Sequence, residues 1–249
     1  MKLPAAPAPS TDFKNATGSS VPKEFALEAR KNPEVIKEMA ETAQEKRELE
    51  KEALARQYSI ITDMSGSMSW PDGSTTRWES ARKAVEKLVE AVFKNDSDGS
   101  VPIYLFDDKV EFVGECVNSG QVVEIFDKYA PRGATDLAQC LEVAMEKYVG
   151  MNRANGKTVP GSTFIVVLDG AADDRQAVKD VIRKFADKCE SHTDIAVSFL
   201  QVGHDPGATA FLKELDDGMG TPDVVDTKHA SFLDSPGGPE RLLYDAIFD

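Results

Sequence analysis

Cysteine is scarce in this chain of 249 residues, which has only Cys116, Cys140 and Cys189. An odd number without a CxxC pair argues against a disulfide framework, and a reducing compartment is the simplest expectation. No apolar run reaches the roughly 20 residues that cross a bilayer, and residues 1–10 lack the apolar core of a secretory signal. These absences predict a soluble cytoplasmic protein without direct membrane insertion.

Positive charge is also in deficit, because 29 Lys and Arg stand against 43 Asp and Glu, for a net charge of -14. A general nucleic-acid binder needs a basic surface to contact phosphates, so we expect no nucleic-acid partner. Residues 1–56 hold ten basic and ten acidic side chains, so the net charge falls on the remainder. An acidic domain attracts divalent cations and basic partner surfaces, although solubility alone would explain it equally well.

The signatures of common catalytic sites are missing as well. The sequence has no GxxxxGK[ST] phosphate loop and no GxSxG elbow, and Asp63 lacks the DxDx pattern of aspartyl-phosphate enzymes because position 65 is Ser. The histidines are far apart and show no metal-ligand spacing: His192, His204 and His229. We therefore expect a protein that is not an enzyme.

Composition divides the chain into three predicted regions. Residues 1–32 are rich in Pro, Ala, Ser and Thr without periodicity, which predicts a flexible tail. Residues 33–56 predict a charged N-terminal helix, since Asn32-Pro33-Glu34 is a favourable helix start. Residues 57–249 alternate strand-like and helix-like segments and predict one domain.

That alternation predicts an α/β fold: a doubly wound, Rossmann-like, mostly parallel sheet with helices on both faces, plus the N-terminal helix. The short link Asp107-Asp108-Lys109 predicts a hairpin and hence one antiparallel edge strand.

Asp136 is the predicted N-cap of a helix, and Asp173 and Asp174 favour the start of another through its dipole. The predicted strands are 58–62, 101–106, 110–117, 164–168, 195–202 and one from 224; the predicted helices are 77–93, 122–129, 136–148, 175–189, 208–215 and 239–248.

Five oxygen-bearing side chains stand at the ends of these elements. Asp63, Ser65 and Ser67 form a DxSxS segment after the first strand, Thr135 precedes a helix, and Asp169 follows an unbroken apolar strand. Open α/β sheets bind ligands at the carboxyl ends of strands beside a switch point, where the two Asp would meet if their strands are neighbours. Hydroxyl and carboxylate oxygens suit Mg²⁺ or Mn²⁺. Each residue alone is better explained as a turn or cap, but together they indicate a metal site.

This set resembles the metal-ion-dependent adhesion site (MIDAS) of von Willebrand factor type A (vWA) domains, and the resemblance covers residues 57–249. Two departures are Leu168, where the family often has Thr, and Ala134, where a second Gly is common. The segments Gln201–Thr209 and Val225–Lys228 look like the intracellular branch associated with tellurium resistance and similar to copines.

The resemblance implies how each residue of the set would act. Ser65, Ser67 and sometimes Thr135 would bind the metal directly, while Asp63 and Asp169 would hold it through water. An open metal position would then accept a Glu or Asp carboxylate of a protein partner. The implied function is a divalent-metal-dependent adhesion or scaffold module.

Two other functions stay open: a subunit of a larger ATPase-linked or stress-response assembly, and a metal-dependent phosphohydrolase. Arg77 and Arg132 are the basic residues expected beside the loop. Trp70 is a plausible partner anchor, whereas Trp78 is either an anchor or a core residue. A Glu from residues 33–56 occupying the site is a further variant.

Overall fold

A computed structural model describes residues 47, 51, 54–94, 99–154, 161–170, 172–189, 194–220 and 223–248, without the side chains of 151–154. The chain forms two compact units, Met1–Glu50 and Lys51–Asp249. The predicted tail and most of the predicted N-terminal helix lie outside the described residues. Every strand and helix given below belongs to the second unit.

A six-stranded mixed sheet forms the centre of this unit. The spatial order is β5-β4-β1-β6-β7-β8, and all neighbours are parallel except β4 and β5. This arrangement confirms the predicted fold class, including the antiparallel edge strand. The strands of this sheet are β1 (Gln57–Asp63), β4 (Val101–Phe106), β5 (Val110–Cys116), β6 (Ser162–Leu168), β7 (Ile195–Gln201) and β8 (Val225–His229). Two short strands, β2 (Pro71–Asp72) and β3 (Thr75–Thr76), form a separate antiparallel pair.

Helices cover both faces of the sheet. They are α1 (Arg77–Val92), α2 (Ser119–Lys128), α3 (Leu137–Ala154), α4 (Arg175–Ala186), α5 (Pro206–Gly218) and α6 (Gly238–Phe248). One apolar core joins the sheet to α3, α4 and α5, and a second joins it to α1, α2 and α6. Along β6, Phe164 and Val166 enter the first core while Ile165 and Val167 enter the second. This two-sided burial explains the unbroken apolar run of β6.

Local capping shifts some element ends from their predicted positions. Asn118 accepts a hydrogen bond from the Gln121 amide, so α2 begins at Ser119 rather than residue 122. Helix α4 ends at Ala186, so Cys189 lies beyond the helix that was predicted to contain it, whereas Cys140 is buried in the core as expected. Among the described residues, no helix has both the length and the apolar character needed to cross a lipid bilayer.

The chain is anchored to the sheet just before β1. Arg56 is buried, and its Nη2 donates to the Ser162 carbonyl at 2.7 Å. Burial lowers the pKa of Arg56 to about 10, although the electrostatic interaction with neighbouring Tyr58 raises it in part. Tyr58 also donates from its hydroxyl to the Leu54 carbonyl at 2.8 Å. These contacts fix the first residues of the sheet at the end opposite to the DxSxS segment.

Candidate metal centre

The sheet topology brings the two predicted aspartates together. Strand β1 lies between β4 and β6, so the chain continues on one side of β1 and later returns on the other. Asp63 ends β1, and Asp169 directly follows β6, whose Val167 is in register with Thr62. The carboxyl ends of these neighbouring strands form the crevice at the switch point, where open α/β sheets bind ligands.

A chain of close polar contacts joins four of the five predicted residues. The Ser65 amide donates to Asp63 Oδ1 at 2.7 Å, and Ser65 Oγ lies 3.1 Å from Ser67 Oγ. Ser67 Oγ donates to Asp169 Oδ1 at 3.0 Å. The one-turn 3₁₀ helix Gly66–Ser69 creates this geometry by bending the chain immediately after Ser65. The two carboxylates and two hydroxyls are therefore linked in one series of hydrogen-bond contacts, in which the Ser65 backbone amide makes the contact to Asp63.

Asp63 is the most enclosed member of the set, with no exposed surface. Among the residues that the structure describes, none donates a hydrogen bond to its Oδ2. Burial raises the pKa of Asp63 to about 7, nearby Asp169 adds to the increase, and the hydrogen bond from Ser65 opposes it. An enclosed carboxylate oxygen without a donor is unfavourable, and the water shell of a bound cation would supply the missing donor.

The donor types restrict how a metal would be held here. In the part of the chain that the structure describes, no three His, Cys, Asp or Glu side chains are grouped so that they could hold a metal ion. A cation at this crevice would therefore need the Ser65 and Ser67 hydroxyls as well as carboxylates. Oxygen ligands of this kind fit Mg²⁺ or Mn²⁺ and disfavour soft metals. The residues present thus fit the implied metal.

The loop that carries Thr135 is tied to the DxSxS segment through its backbone. The Arg132 amide donates to the Met64 carbonyl at 2.7 Å, and the Gly66 amide donates to the Gly133 carbonyl at 3.2 Å. No described residue of the set of five hydrogen-bonds to the Thr135 hydroxyl, so the contacts that link Thr135 to the DxSxS segment are those of its loop backbone.

Asp173 fixes the other side of this loop. Its Oδ2 accepts from the Thr135 amide at 3.0 Å, and its own amide donates to the Thr135 carbonyl at 3.3 Å. The sequence predicted Asp173 to act at a helix start, but Asp174 is the residue that caps α4, through the Ala177 amide. The predicted cap Asp136 is confirmed, because its Oδ1 accepts from the Gln139 amide at 3.1 Å.

Asp107 holds the loop that carries Thr135 through hydrogen bonds of its carboxylate. Its Oδ2 accepts from Arg132 Nε and its Oδ1 from the Lys109 amide, both at 2.9 Å. Burial alone would raise the pKa of Asp107, but these hydrogen bonds outweigh burial and lower it. Gly133 adopts φ of 69°, and a Cβ there would lie 3.0 Å from Asp107 Cβ. Only glycine fits this turn without displacing its neighbours.

Arg77 is the main site residue whose role the sequence did not indicate. It begins α1, and its Nη1 donates to Asp169 Oδ2 at 2.8 Å. Its guanidinium carbon lies 5.2 Å from the centre of the Trp70 ring. A Cβ on Gly203 would lie only 2.8 Å from Arg77 Nε, so Gly203 leaves room for the arginine. The sequence placed Arg77 near the loop, but its pairing depends on the neighbouring position of β6.

The two tryptophans differ in environment. Trp70 is 57% exposed beside the crevice, as expected for a residue available to a partner. Trp78 packs against Phe126 with ring centres 4.3 Å apart, and its Nε1 donates to the Phe126 carbonyl at 3.3 Å. Of the two predicted roles for Trp78, the structure therefore supports the packing role.

A groove of about 450 Å³ opens beside Thr135. Its lining includes four aspartates: Asp108, Asp136, Asp173 and Asp174. Such a lining gives the groove a negative potential, which attracts cations and repels unscreened anions.

Comparison with known proteins gives one family match. The family model described as von Willebrand factor type A domain matches residues 59–172, a range that contains all five predicted site residues. No curated protein matches the chain.

Solved structures of the same fold include three with a TM-score of 0.54. The SpRpn10 VWA domain is 11% identical, with 76% of this chain and 93% of that chain covered. The manganese-loaded Plasmodium vivax TRAP protein is 14% identical, with 76% of this chain and 74% of that chain covered. A mutant of the PilB minor pilin from Streptococcus sanguinis is 13% identical, with 77% of this chain and 62% of that chain covered. Residues 59–172 are thus similar to von Willebrand factor type A domains, and the chain shares the fold of these solved structures.

Proposed function

We propose that this protein is a protein-binding module whose binding depends on a divalent metal. Asp63, Ser65, Ser67, Thr135 and Asp169 would hold Mg²⁺ or Mn²⁺ as a metal-ion-dependent adhesion site. The observation that carries the proposal is the chain of contacts from Asp63 through both serines to Asp169, next to the unpartnered Asp63 Oδ2. These groups are the ones that a hard cation with an incomplete water shell requires.

The bound metal would supply an electrophilic position for an anionic oxygen of the partner. Serine hydroxyls are neutral ligands, so they leave most of the charge of a divalent cation uncompensated. Asp63 and Asp169 would orient the water molecules around the ion rather than neutralise it by direct contact. A Glu or Asp carboxylate on a protein partner is therefore the ligand that we expect.

We propose no catalytic role, because von Willebrand factor type A domains generally serve as interaction modules. We place this module in the cytoplasm and in the branch associated with tellurium resistance and similar to copines, on the sequence features described above. A stable subunit of an ATPase-linked or stress-response assembly is a special case of the same function. Stoichiometric co-purification with one partner would favour that case. Hydrolysis of a phosphoester by the wild type but not by Asp63→Ala would instead support the alternative function, a metal-dependent phosphohydrolase.

Two serines of the same turn provide a matched test of metal binding. Ser67 Oγ contacts Ser65 and Asp169, whereas Ser69 Oγ donates to the Gly66 carbonyl at 2.7 Å and faces solvent. Ser67→Ala removes a hydroxyl proposed to contact the metal directly, so Mn²⁺ binding should weaken at least about tenfold, while Ser69→Ala should bind like the wild type. Titration calorimetry with Mn²⁺ measures both affinities. Equal affinities for Ser67→Ala and the wild type would contradict the proposed ligand set.

A further inference from the structure

We infer that Arg77 is a built-in cation of the metal site, which neutralises Asp169 and lowers the intrinsic affinity of the site for a divalent metal. The inference rests on the proposed function, because it concerns the same five residues. It adds a control on that site: the metal would be held weakly alone and more tightly when a partner carboxylate is present.

The ion pair of Arg77 and Asp169 is enclosed. Asp169 is 1% exposed and the Arg77 side chain 13% exposed, with 2.8 Å between Nη1 and Oδ2. The other oxygen of Asp169 accepts from Ser67 Oγ. Both oxygens of Asp169 therefore have a donor within the protein, whereas no described residue donates to Asp63 Oδ2. The protein itself satisfies one of the two carboxylates of the site.

Besides Asp169, two other segments of the chain contact Arg77. The Arg77 amide donates to the Trp70 carbonyl at 3.0 Å, and the indole ring of Trp70 lies beside the guanidinium. On another side, Gly203 approaches so closely that a Cβ would lie 2.8 Å from Nε. Nε itself is enclosed without an acceptor, which is unfavourable for stability. The guanidinium is thus held beside Asp169 although one of its donors has no acceptor among the described residues.

A fixed positive charge beside Asp169 has two consequences for a metal. The carboxylates and the arginine sum to one negative charge instead of two when both Asp63 and Asp169 are ionised, and an entering cation is repelled by the guanidinium. Because the site carries only one net negative charge, it compensates less of the charge of a bound metal, and the metal then attracts an external carboxylate more strongly. Metal and partner would therefore raise each other's affinity, as any two coupled ligands must do reciprocally.

Mn²⁺ titration of the full chain without any partner tests this inference, using Arg77→Gln and Arg77→Lys. The glutamine variant removes the charge, so its Mn²⁺ affinity should rise about tenfold, the scale of one charge interaction in a partly screened site. The lysine variant keeps the charge and should stay within about threefold of the wild type. A glutamine variant that binds Mn²⁺ equally or more weakly would overturn the inference.

Thermal unfolding of the same proteins gives a second readout. In EDTA, Arg77→Gln should unfold at a lower temperature than the wild type, because the buried Asp169 carboxylate loses its partner. Adding Mn²⁺ should then raise the midpoint more in this variant than in the wild type. Should Arg77→Gln fail to fold, Gly203→Ala serves instead, because its Cβ would push Arg77 away from Asp169. A smaller rise in Mn²⁺ affinity is expected there, and no rise would overturn the inference.

The outcomes separate this inference from the proposed function. Mn²⁺ binding by the wild type with no gain in Arg77→Gln would leave the metal site intact and remove the role of Arg77. Binding by Arg77→Gln but not by the wild type would support Arg77 as the built-in cation, and the wild type should then bind Mn²⁺ once a partner carboxylate is present; no binding in its presence would contradict the proposed function. Binding by neither protein would overturn both.

Discussion

The turn at Gly133 carries Thr135 to the crevice, so a change of this glycine should affect both stability and metal binding. In Gly133→Ala, the new Cβ would lie 2.6 Å from Asp108 Oδ1 and 3.0 Å from Asp107 Cβ. The exposed Asp108 side chain can rotate away. Asp107 cannot move as easily, because it is buried and holds Arg132 and the Lys109 amide.

The expected cost has a backbone part and a contact part. Alanine at φ of 69° costs about 1 kcal/mol, and displacement of Asp107 adds about 1 kcal/mol more. A total of about 2 kcal/mol corresponds to a midpoint lowered by about 4–8 °C in a unit of this size. The shifted loop should also weaken Mn²⁺ binding, because Thr135 follows Gly133 by two positions.

Gly73→Ala is the matched control for this prediction. Gly73 has φ of 62°, and a Cβ there would meet nothing within 4 Å. It should therefore cost only the backbone part, about 1 kcal/mol, and leave Mn²⁺ affinity unchanged. Urea unfolding of both variants measures the difference, and Mn²⁺ titration measures the effect on the site. Equal losses of stability, or an unchanged affinity in Gly133→Ala, would refute the reasoning.

Two further predictions concern the tryptophans and the cysteines. Trp78→Ala should lower the free energy of unfolding by about 3 kcal/mol because it empties a packed position, whereas the exposed Trp70→Ala should change it by less than about 0.5 kcal/mol; equal values in urea unfolding would contradict the assigned environments. Burial raises the pKa of Cys140 and, to about 11, that of Cys189. Both should stay protonated and slow to react with a thiol reagent at pH 8 until urea is added, and rapid labelling of the native protein would contradict this.

The general fold and the crevice were predictable because they depend on strong local patterns. Unbroken apolar runs indicated buried strands, and the short link after Phe106 indicated the antiparallel hairpin. Asp63 and Asp169 each end such a strand, so the rule for open α/β sheets placed them together once β1 and β6 were neighbours.

Other features depended on tertiary contacts that no local pattern encodes. The pairing of Arg77 with Asp169 joins residues 92 positions apart and requires knowledge of the strand order. Asp173 anchors Thr135 rather than its own helix, because the loop lies within reach of its carboxylate. The strands β2 and β3 have two residues each, too few for any periodicity to indicate them. The structure thus adds the contacts that orient the site, while the sequence supplied its members.

The central claim is that a divalent metal on these residues binds a carboxylate of a protein partner. The most direct test is a pull-down from native lysate with the wild type and Asp63→Asn, each with Mg²⁺ and with EDTA. Asparagine keeps the size of Asp63 and removes its charge. We predict a protein retained only by the wild type with Mg²⁺, and lost when its contacting Asp or Glu is replaced by Ala. Identical proteins retained under all four conditions would contradict the account.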